Sequence, residues 1–326
     1  MKIDCQTHVL PEAYIDVFSR NPQPPRIIKE GGDFIVTLAG DRPVIRGKIE
    51  NYSIERKIKA MDDVGIDMSI LSPNIPGPCM MAPELALRGA QIINDFIAEA
   101  IQTYPDRFAG VASLPWQNVD EAIGEMDRAR DELNFRAVML FSNIGGRHVD
   151  YPEFEPIYAH AESRGLPIII HPTFPAWGGQ IKEYMMIPML GFQIDSSFAL
   201  LRIILSGVLE RHPDLEILMP HAGGVLPYMI GRIDYQTGMP GRTPEHISKP
   251  PSEYLKRVYL DTCSPSVPAL QYAFDFSGPK RMVLGTDHPW VDPQLMITLV
   301  EDMNISEQEK MLIFSGNAGT LLGISP

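Results

Sequence analysis

The sequence predicts an α/β fold, a (β/α)8 TIM barrel that carries a small inserted hairpin near its N-terminus and occupies residues 1–326 as a single domain. Eight short apolar runs alternate with longer amphipathic segments, which is the element order of a parallel-stranded barrel covered by helices. The fifth run, residues 166–170, is almost wholly apolar, as is typical of a parallel strand buried on both faces. No Gly-rich phosphate loop follows the first run, which disfavours a doubly wound open sheet.

The predicted strands are apolar runs that end at a proline, a glycine or a polar residue. They comprise residues 2–5, 67–71, 108–114, 137–141, 166–170, 215–219, 258–260 and 282–284. The predicted helices have apolar residues three and four positions apart, and Ser53 is the expected N-cap of the second one. They comprise residues 11–19, 54–64, 82–104, 119–133, 152–164, 198–209, 252–255, 267–276, 293–302 and 307–322.

Residues 21–50 interrupt this alternation. They open on a Pro-rich segment, and residues 34–38 and 43–45 then flank a turn at residues 39–41 as a small hairpin. Because the hairpin is too short to bury a core of its own, we expect it to cover the barrel mouth and not to form a second domain.

Composition limits the classes of function. The chain has 28 Lys and Arg against 41 Asp and Glu, so its net charge of −13 gives it no general attraction for nucleic acid or acidic membranes. Its 3 cysteines are far apart, which favours reduced thiols in a cytoplasmic setting over a disulfide framework. There is no apolar leader and no run of about 18 apolar residues, so neither secretion nor a membrane span is expected.

Polar residues that can bind a metal follow four of the predicted strands. Gln6 and His8 follow the first strand, His171 the fifth, His221 the sixth and Asp287 the eighth. The carboxyl ends of barrel strands open on one face, so these side chains can meet there. Imidazole nitrogens and a carboxylate suit zinc or another divalent first-row ion, and residues two apart on one strand point the same way.

The alternative for each histidine alone is an ordinary buried or capping residue. Polar residues at four strand ends on one face favour a metal or acid–base site instead. His288 follows Asp287 directly, so we expect it to point away and to support the site or its loop. Four further histidines have no such pattern and are read as structural or solvated, namely His148, His160, His212 and His246.

Several motifs resemble a known family over nearly the whole chain. They are Met1-Lys2-Ile3-Asp4 with His8, Met61-Asp62, Tyr104-Pro105-Asp106-Arg107-Phe108, Ile170-His171-Pro172, His221-Ala222-Gly223-Gly224, Gly285-Thr286-Asp287-His288-Pro289 and Asn317-Ala318. Together they resemble the amidohydrolase-related group that includes 2-amino-3-carboxymuconate 6-semialdehyde decarboxylase and γ-resorcylate decarboxylase. The resemblance implies one divalent metal ion (zinc first, manganese or magnesium as alternatives), a small carboxylic acid as substrate, and a homodimer.

The resemblance also implies residue roles. His8, His171 and Asp287 would hold the metal, and His221 would lie beside it and move protons or activate water. One motif departs from the family, because its first pair is usually His-x-His or Glu-x-His and is here Gln6-x-His8. A Gln oxygen is a neutral and weaker ligand, so Asp287 would be the only anionic one, and metal-independent chemistry remains an alternative.

Four residues are candidates for substrate binding. Arg46 lies near where relatives carry a substrate-binding arginine, and its guanidinium could hold a carboxylate as a fork. Phe174 and Trp177 follow His171 closely and could wall the pocket against an aromatic substrate. Arg147 is a second arginine candidate. The alternative is that Arg46 and Arg147 are solvated surface residues and that Phe174 and Trp177 only pack within the protein.

The function predicted first is metal-dependent, non-oxidative decarboxylation of an aromatic or muconate-like acid. Asp287 would deliver a proton to the reacting carbon, and His221 would act as general acid and base. The same residues could instead serve a hydrolase, lactonase or hydratase that acts on a ring-cleavage product. A third alternative is an inactive barrel used for binding, with Gln6 as the inactivating change.

Overall fold

Eight parallel strands form the centre of the structure, a computed structural model that describes residues 1–38 and 42–324. The strands are Ile3–Val9, Met68–Pro73, Phe108–Ala112, Ala137–Phe141, Ile168–His171, Ile217–Met219, Tyr259–Asp261 and Met282–Val283. Each pairs in parallel with the next, so the order in the sheet follows the order in the sequence. The predicted (β/α)8 barrel is confirmed.

Backbone hydrogen bonds close the barrel where the first strand meets the segment after the eighth. The Asp287 N–H donates to the Gln6 carbonyl over 2.8 Å, and the His8 N–H donates to the His288 carbonyl over 2.9 Å. We call this contact between residues 6–8 and residues 287–288 the seam. It brings together two parts of the chain that the sequence separates by almost its full length.

The strands are buried on both faces, as parallel strands between a core and covering helices require. Every residue of Ala137–Phe141 and Ile168–His171 is buried. The largest fully buried side chain, Trp116, packs edge-on against Phe154, and its indole N–H donates to the Met139 carbonyl over 2.8 Å. Polar groups inside such a core need hydrogen-bond partners, so any that lack them are notable.

The helices largely follow the prediction. They are Glu12–Phe18, Ile54–Val64, Pro83–Thr103, Val119–Asp131, Glu155–Ser163, Phe192–Leu205, Val208–Arg211, Leu226–Thr237, Pro251–Leu255, Val267–Ser277, Pro293–Glu301, Glu307–Met311 and Asn317–Leu322. Ser53 is the N-cap of the second helix, since its side chain accepts a hydrogen bond from the Arg56 N–H. Gly65 ends that helix with a φ of 70°.

Three helical regions differ from the prediction. The helix predicted over residues 307–322 is interrupted by a π-turn at Leu312–Gly316, which separates Glu307–Met311 from Asn317–Leu322. The helix predicted over residues 198–209 begins earlier, at Phe192, after a π-turn at Ile187–Gly191, because buried polar residues in its first turns conceal the apolar periodicity. The helix Leu226–Thr237 is not predicted by the sequence at all. Its buried residues are few, so its apolar face is too narrow to give a helical pattern.

One helical segment among the described residues, Ile187–Leu205, is long and apolar enough to cross a membrane by composition, with a mean hydropathy of 1.3. Of its 18-residue window, 56% is buried inside the protein. Core helices of soluble proteins pass the same test, so this segment is weak evidence for a membrane span.

The insertion is larger than the predicted hairpin. It is an antiparallel sheet of Arg26–Glu30, Asp33–Leu38 and Arg42–Lys48. The predicted turn at residues 39–41 lies outside the described residues. The additional strand escapes prediction because it follows several prolines and has charged residues at three of its five positions. Ile27, one of its two apolar residues, joins the same hydrophobic core as the barrel.

Candidate active site

Three of the predicted metal ligands meet at the carboxyl end of the barrel. The ligand atoms of His8, His171 and Asp287 all lie within 4.8 Å of one another. His8 Nε2 is 2.9 Å from Asp287 Oδ1 and 3.1 Å from His171 Nε2. The seam supplies His8 and Asp287, and the fifth strand supplies His171 as its last residue.

The hydrogen bonds on the far side of each ring are compatible with the tautomer that binds a metal. His8 Nδ1 lies 3.2 Å from the Pro73 carbonyl, and His171 Nδ1 lies 2.9 Å from the Pro172 carbonyl. A carbonyl oxygen can only accept, so a proton on Nδ1 satisfies each of these contacts and leaves Nε2 with a lone pair. This tautomer is the one in which a histidine binds a metal through Nε2.

These tautomers leave three acceptors facing one another without a proton between them. The Nε2 lone pairs of His8 and His171 and the carboxylate oxygen of Asp287 converge at separations of 2.9 and 3.1 Å from His8 Nε2. Acceptors at such distances repel one another unless a metal ion, or a proton such as one on the Asp287 carboxyl, lies among them. Two imidazoles and a carboxylate form an ordinary donor set for a divalent first-row ion, so the residues present fit a metal.

Gln6 lies beside this set. Its side chain is buried, its Nε2 donates weakly to Asp287 Oδ1 over 3.4 Å, and its Oε1 has no hydrogen-bond partner in the described part of the chain. An unpartnered buried amide oxygen is costly and is the kind of group that a cation satisfies. Gln6 can therefore orient Asp287 and offer a neutral oxygen ligand at once.

Burial sets the protonation of the three ligands. It lowers the pKa of His8 to about 3 and the pKa of His171 to about 3, and it raises the pKa of Asp287. Both histidines are therefore neutral at physiological pH, as metal binding requires. The Asp287 carboxyl gains protonated character, which suits a group that handles a proton.

His221 projects from a strained turn after the sixth strand. Its φ is 57°, and that of Ala222 is 53°, a left-handed conformation that costs a non-glycine residue about 1–3 kcal/mol. Its ring centroid lies 6.4 Å from that of His171, and its buried Nδ1 has no partner among the residues that the structure describes. Burial lowers the pKa of His221 to about 4, so its ring is a neutral base beside the ligand set.

Two buried aspartates that the sequence reasoning missed hold the site from below. Asp4 Oδ2 accepts from the Thr286 hydroxyl over 2.7 Å, and its Oδ1 accepts from the Gln6 N–H over 3.1 Å. Asp261 Oδ1 accepts from the backbone N–H groups of Ala222 and Cys263 over 3.2 and 2.9 Å. The signal that could have revealed them is a carboxylate within an otherwise apolar strand.

Lys57 is a buried cation behind the seam. Its Nζ lies 3.1 Å from the Thr7 hydroxyl and 3.4 Å from His288 Nδ1. Burial lowers the pKa of Lys57 to about 7 and that of His288 to about 3. His288 thus faces Lys57, in agreement with the expectation that it supports the loop and does not join the ligand set.

A cavity of about 340 Å³ opens beside these residues, and His171, His221 and Asp287 form part of its wall. Arg46 is the lining residue that carries a positive charge. The remaining wall is mostly apolar and includes Ile75, Met185, Phe192, Cys263 and Trp290. A largely apolar cavity of this size with a few polar groups suits a small planar acid.

The predicted substrate-binding residues are not all at this cavity. Arg46 lines it but is also ion-paired with Glu30 and, over 3.0 Å, with Asp33. Phe174 and Trp177 are not among the described residues that line it.

Those two rings, and the second arginine candidate, have structural contacts instead. Phe174 is buried and packs edge-on against Phe192, and the Trp177 indole N–H donates to Asp195 over 3.1 Å. Arg147 pairs with Glu153, away from the cavity wall.

The family model described as amidohydrolase matches residues 3–324 of the chain. Among curated relatives, the 2-amino-3-carboxymuconate-6-semialdehyde decarboxylase of Dictyostelium discoideum is 29% identical, in an alignment that covers 100% of this chain and 92% of that protein. The 2-keto-4-carboxy-3-hexenedioate hydratase of a Sphingobium species is 26% identical, with 97% and 94% covered.

Solved structures give the same picture. The 5-carboxyvanillate decarboxylase of Sphingomonas paucimobilis superposes with a TM-score of 0.89 at 26% identity, with 99% of each chain covered. A dihydroxybenzoic acid decarboxylase of a Polaromonas species, solved with manganese and 2-nitroresorcinol, has a TM-score of 0.83 at 25% identity, with 99% and 97% covered.

Proposed function

We propose that this chain, which belongs to the amidohydrolase family by its match over residues 3–324, is a metal-dependent, non-oxidative decarboxylase of an aromatic or muconate-like carboxylic acid. It is thus a carbon–carbon lyase, the activity that the sequence predicts first. Decarboxylases among both its relatives and its structural neighbours support the reaction type.

One observation carries the proposal. The lone pairs of His8 Nε2 and His171 Nε2 and the Asp287 carboxylate converge beside a mostly apolar cavity. A purely structural cluster would satisfy these acceptors with donors, as buried polar groups normally are. These residues would hold a cation between them, at the wall of the cavity that a small acid would enter.

His8, His171 and Asp287 would hold the metal, and Gln6 would add a neutral oxygen. When bound, a divalent ion acts as a Lewis acid toward a carboxylate or hydroxyl oxygen of the substrate. We propose zinc first, because imidazole and carboxylate are ordinary zinc ligands. Manganese is the ion in a structural neighbour, and the single carboxylate and neutral amide oxygen are also compatible with manganese or magnesium.

The chain's own residues would supply the proton. Decarboxylation breaks the bond between the ring carbon and the carboxylate, CO2 leaves, and the electron pair left on carbon takes up a proton. Asp287 is the donor in this proposal, because burial raises its pKa and it lines the cavity. His221 exchanges a proton with the substrate oxygen as general acid and base. Both residues are clamped by strained backbone, so they are positioned before substrate arrives.

Arg46 is proposed to hold a substrate carboxylate or hydroxyl at the cavity mouth. It lines the cavity, and its guanidinium can bind a carboxylate with two parallel hydrogen bonds. Its guanidinium is also ion-paired with Glu30 and Asp33, so a substrate anion would have to share it with them. Phe174 and Trp177 are proposed to support the cavity wall indirectly. Phe174 packs against Phe192, and Trp177 donates a hydrogen bond to Asp195.

The experiment that tests the function measures CO2 release. Purified protein, loaded separately with manganese and zinc, is incubated with a panel of hydroxybenzoates and carboxymuconates, and headspace CO2 is quantified. We expect release from at least one acid with the loaded wild type and none with His171→Ala, while the exposed-histidine control His148→Ala retains it. Absence of release across the panel, with both metals, would reject the decarboxylase.

The second candidate is addition of water to an unsaturated acid, or hydrolysis of a ring-cleavage product. The relative that is a hydratase, at 26% identity over nearly the whole chain, favours it. The same His221 would then act on water instead of on a substrate oxygen. Loss of substrate absorbance with a hydrated product and no CO2 would decide for this candidate. If this activity persists after complete removal of metal, the enzyme is a metal-independent hydratase or hydrolase.

We further propose a cytoplasmic homodimer. Apolar side chains are exposed along the segment Ile187–Leu205, where Met189 is 63% and Phe198 is 53% exposed. Monomeric proteins seldom leave such a row uncovered. Light scattering on the purified chain is expected to give twice the monomer mass, and a monomer at micromolar concentration would reject the dimer.

A further inference from the structure

A second group of metal-binding side chains shares Asp287 with the first. The ligand atoms of His221, Cys263 and Asp287 lie within 4.8 Å of one another. They project from the ends of the sixth, seventh and eighth strands, and all three line the cavity. The proposed reaction has no use for Cys263, and the sequence offered no reason to place this thiol at the site.

Both new ligands are held in place and available. His221 Nδ1 is buried without a hydrogen-bond partner in the described chain. Cys263 is 5% exposed, and its backbone N–H and that of Ala222 donate to the same oxygen of Asp261. One buried carboxylate therefore anchors the turn that carries the imidazole and the turn that carries the thiol.

We propose that His221, Cys263 and Asp287 form a second metal site that takes a soft divalent ion, Cd²⁺ or Zn²⁺ in excess of one ion per chain, and that filling this site inhibits the enzyme. A thiolate selects soft ions over magnesium and manganese, which prefer oxygen. Binding replaces the thiol proton with the ion and releases that proton to solvent. Asp287 has two carboxylate oxygens, so it can serve this site with one while the other faces His8.

The distances suit such a site. Metal bonds of about 2.0 Å to nitrogen or oxygen and about 2.3 Å to sulfur give tetrahedral edges of roughly 3.3–3.5 Å. The present separations, within 4.8 Å, would have to shorten by about 1.5 Å at most to reach those edges. The cavity leaves the fourth position open to water. Inhibition follows because the ion occupies His221 and Asp287, and this consequence alone rests on the proposed function.

The test is a cadmium titration of the manganese-loaded full chain. A bond between cadmium and thiolate gives a charge-transfer absorbance in the ultraviolet, whereas cadmium at His8 and His171 gives none. We expect the band to appear in the wild type and in Cys79→Ser, whose buried thiol lies outside the cavity wall. Cys263→Ser should lose the band and bind this cadmium at least ~10-fold more weakly.

Two outcomes would overturn the second site. One is a band of undiminished size in Cys263→Ser, and the other is no band in the wild type at saturating cadmium. If Cys263→Ser does not fold, cadmium NMR on the wild type decides, because a resonance confined to the range of oxygen and nitrogen ligands also overturns it. Inhibition is measured against each variant's own cadmium-free rate. A protein without decarboxylase activity would still show the band, so the two proposals fail separately.

Discussion

The two ends of the barrel both bury a histidine among charged side chains. The polar atoms around that histidine all have hydrogen-bond partners at one end but not at the other. At the amino end, before the sixth strand, both ring nitrogens of His212 lie 2.9 Å from a carboxylate oxygen, one of Glu162 and one of Glu155. At the carboxyl end, His8 Nε2 and His171 Nε2 face each other over 3.1 Å. Burial is common to both places, so burial does not identify the site. What differs is that two buried polar atoms at the carboxyl end, Gln6 Oε1 and His221 Nδ1, have no hydrogen-bond partner among the described residues.

The amino-end cluster is complete in itself. Arg211 also donates to Glu155 through two hydrogen bonds, of 2.6 and 2.7 Å, so the acidic groups there are matched by donors. Polar clusters at this end of a barrel serve stability, whereas those at the carboxyl end serve chemistry. The same substitution, made in one histidine at each end, should therefore separate an effect on stability from an effect on metal binding.

The largest expected effect is on metal binding by His171→Ala. Removal of a ligand should weaken binding by at least ~100-fold, since loss of an outer hydrogen-bond partner alone costs about 10–100-fold. Metal per chain, measured after dialysis against a chelator buffer, checks this.

The matched variant is His212→Ala. It should bind metal as the wild type does but lose about 1–3 kcal/mol of unfolding free energy, because Glu162 loses a buried partner. If His171→Ala and His212→Ala lost metal equally, the prediction that only the carboxyl end binds metal would be wrong.

The next effect is on the pH dependence of stability without metal. Burial lowers the pKa of His171 to about 3, so the unfolded chain binds a proton below about 6.5 that the folded chain does not. The stability contribution is thus present above pH 6.5 and is lost as the pH falls toward 3. Between pH 6.5 and pH 5 the loss is about 2 kcal/mol for one such histidine.

His171→Asn should remove this loss. Urea denaturation of metal-free protein at pH 8 and pH 5 is expected to show a smaller drop for the variant than for the wild type, by about 2 kcal/mol. An identical drop in both proteins would mean that the ring at position 171 carries a proton in the folded state at pH 5, contrary to the buried, neutral form.

A smaller effect separates two arginines that both carry ion pairs. Arg46→Ala should raise KM about 10-fold, which corresponds to one charge-assisted hydrogen bond of about 1.4 kcal/mol. Arg147→Ala, whose side chain is away from the cavity, should leave KM unchanged. Steady-state kinetics with the best substrate decides, and equal KM values for both variants would remove Arg46 from the binding role.

The smallest effect tests the ring that the sequence associated with substrate. Trp177→Phe deletes the hydrogen bond to the buried Asp195, so it should lower the unfolding free energy by about 0.5–1.5 kcal/mol and leave KM as it is. A change in KM without a change in stability would indicate that Trp177 contacts the substrate after all.

The candidate ligands at the carboxyl end of the barrel could be predicted from the sequence more readily than the buried residues that position them. His8, His171, His221 and Asp287 could be grouped because strand ends of a parallel barrel share one face, whatever the register of the strands. Their grouping needed only the order of elements. The nearness of Phe174 to His171 in sequence does not put its ring among the residues that line the cavity, because the strand ends at His171 and the Phe174 ring packs against Phe192.

The supporting residues could not be found from the order of elements alone. Asp4, Asp261 and Cys263 are positioned by register, since each contacts a residue on a neighbouring strand end or turn. Lys57 is a further example, because a lysine on an amphipathic helix is normally solvated, and only the packing of that helix against the seam buries it. Such contacts depend on distances that apolar periodicity does not encode.

The seam also dictates when the site can exist during synthesis of the protein. The ribosome makes His8 near the start, but its partner Asp287 lies 279 residues further along the chain. Until that residue emerges, His8 and His171 lack the carboxylate that completes their cluster. If these three residues hold the metal as proposed, the full ligand set forms only after Asp287 has left the ribosome, and metal loading is expected to be a late step.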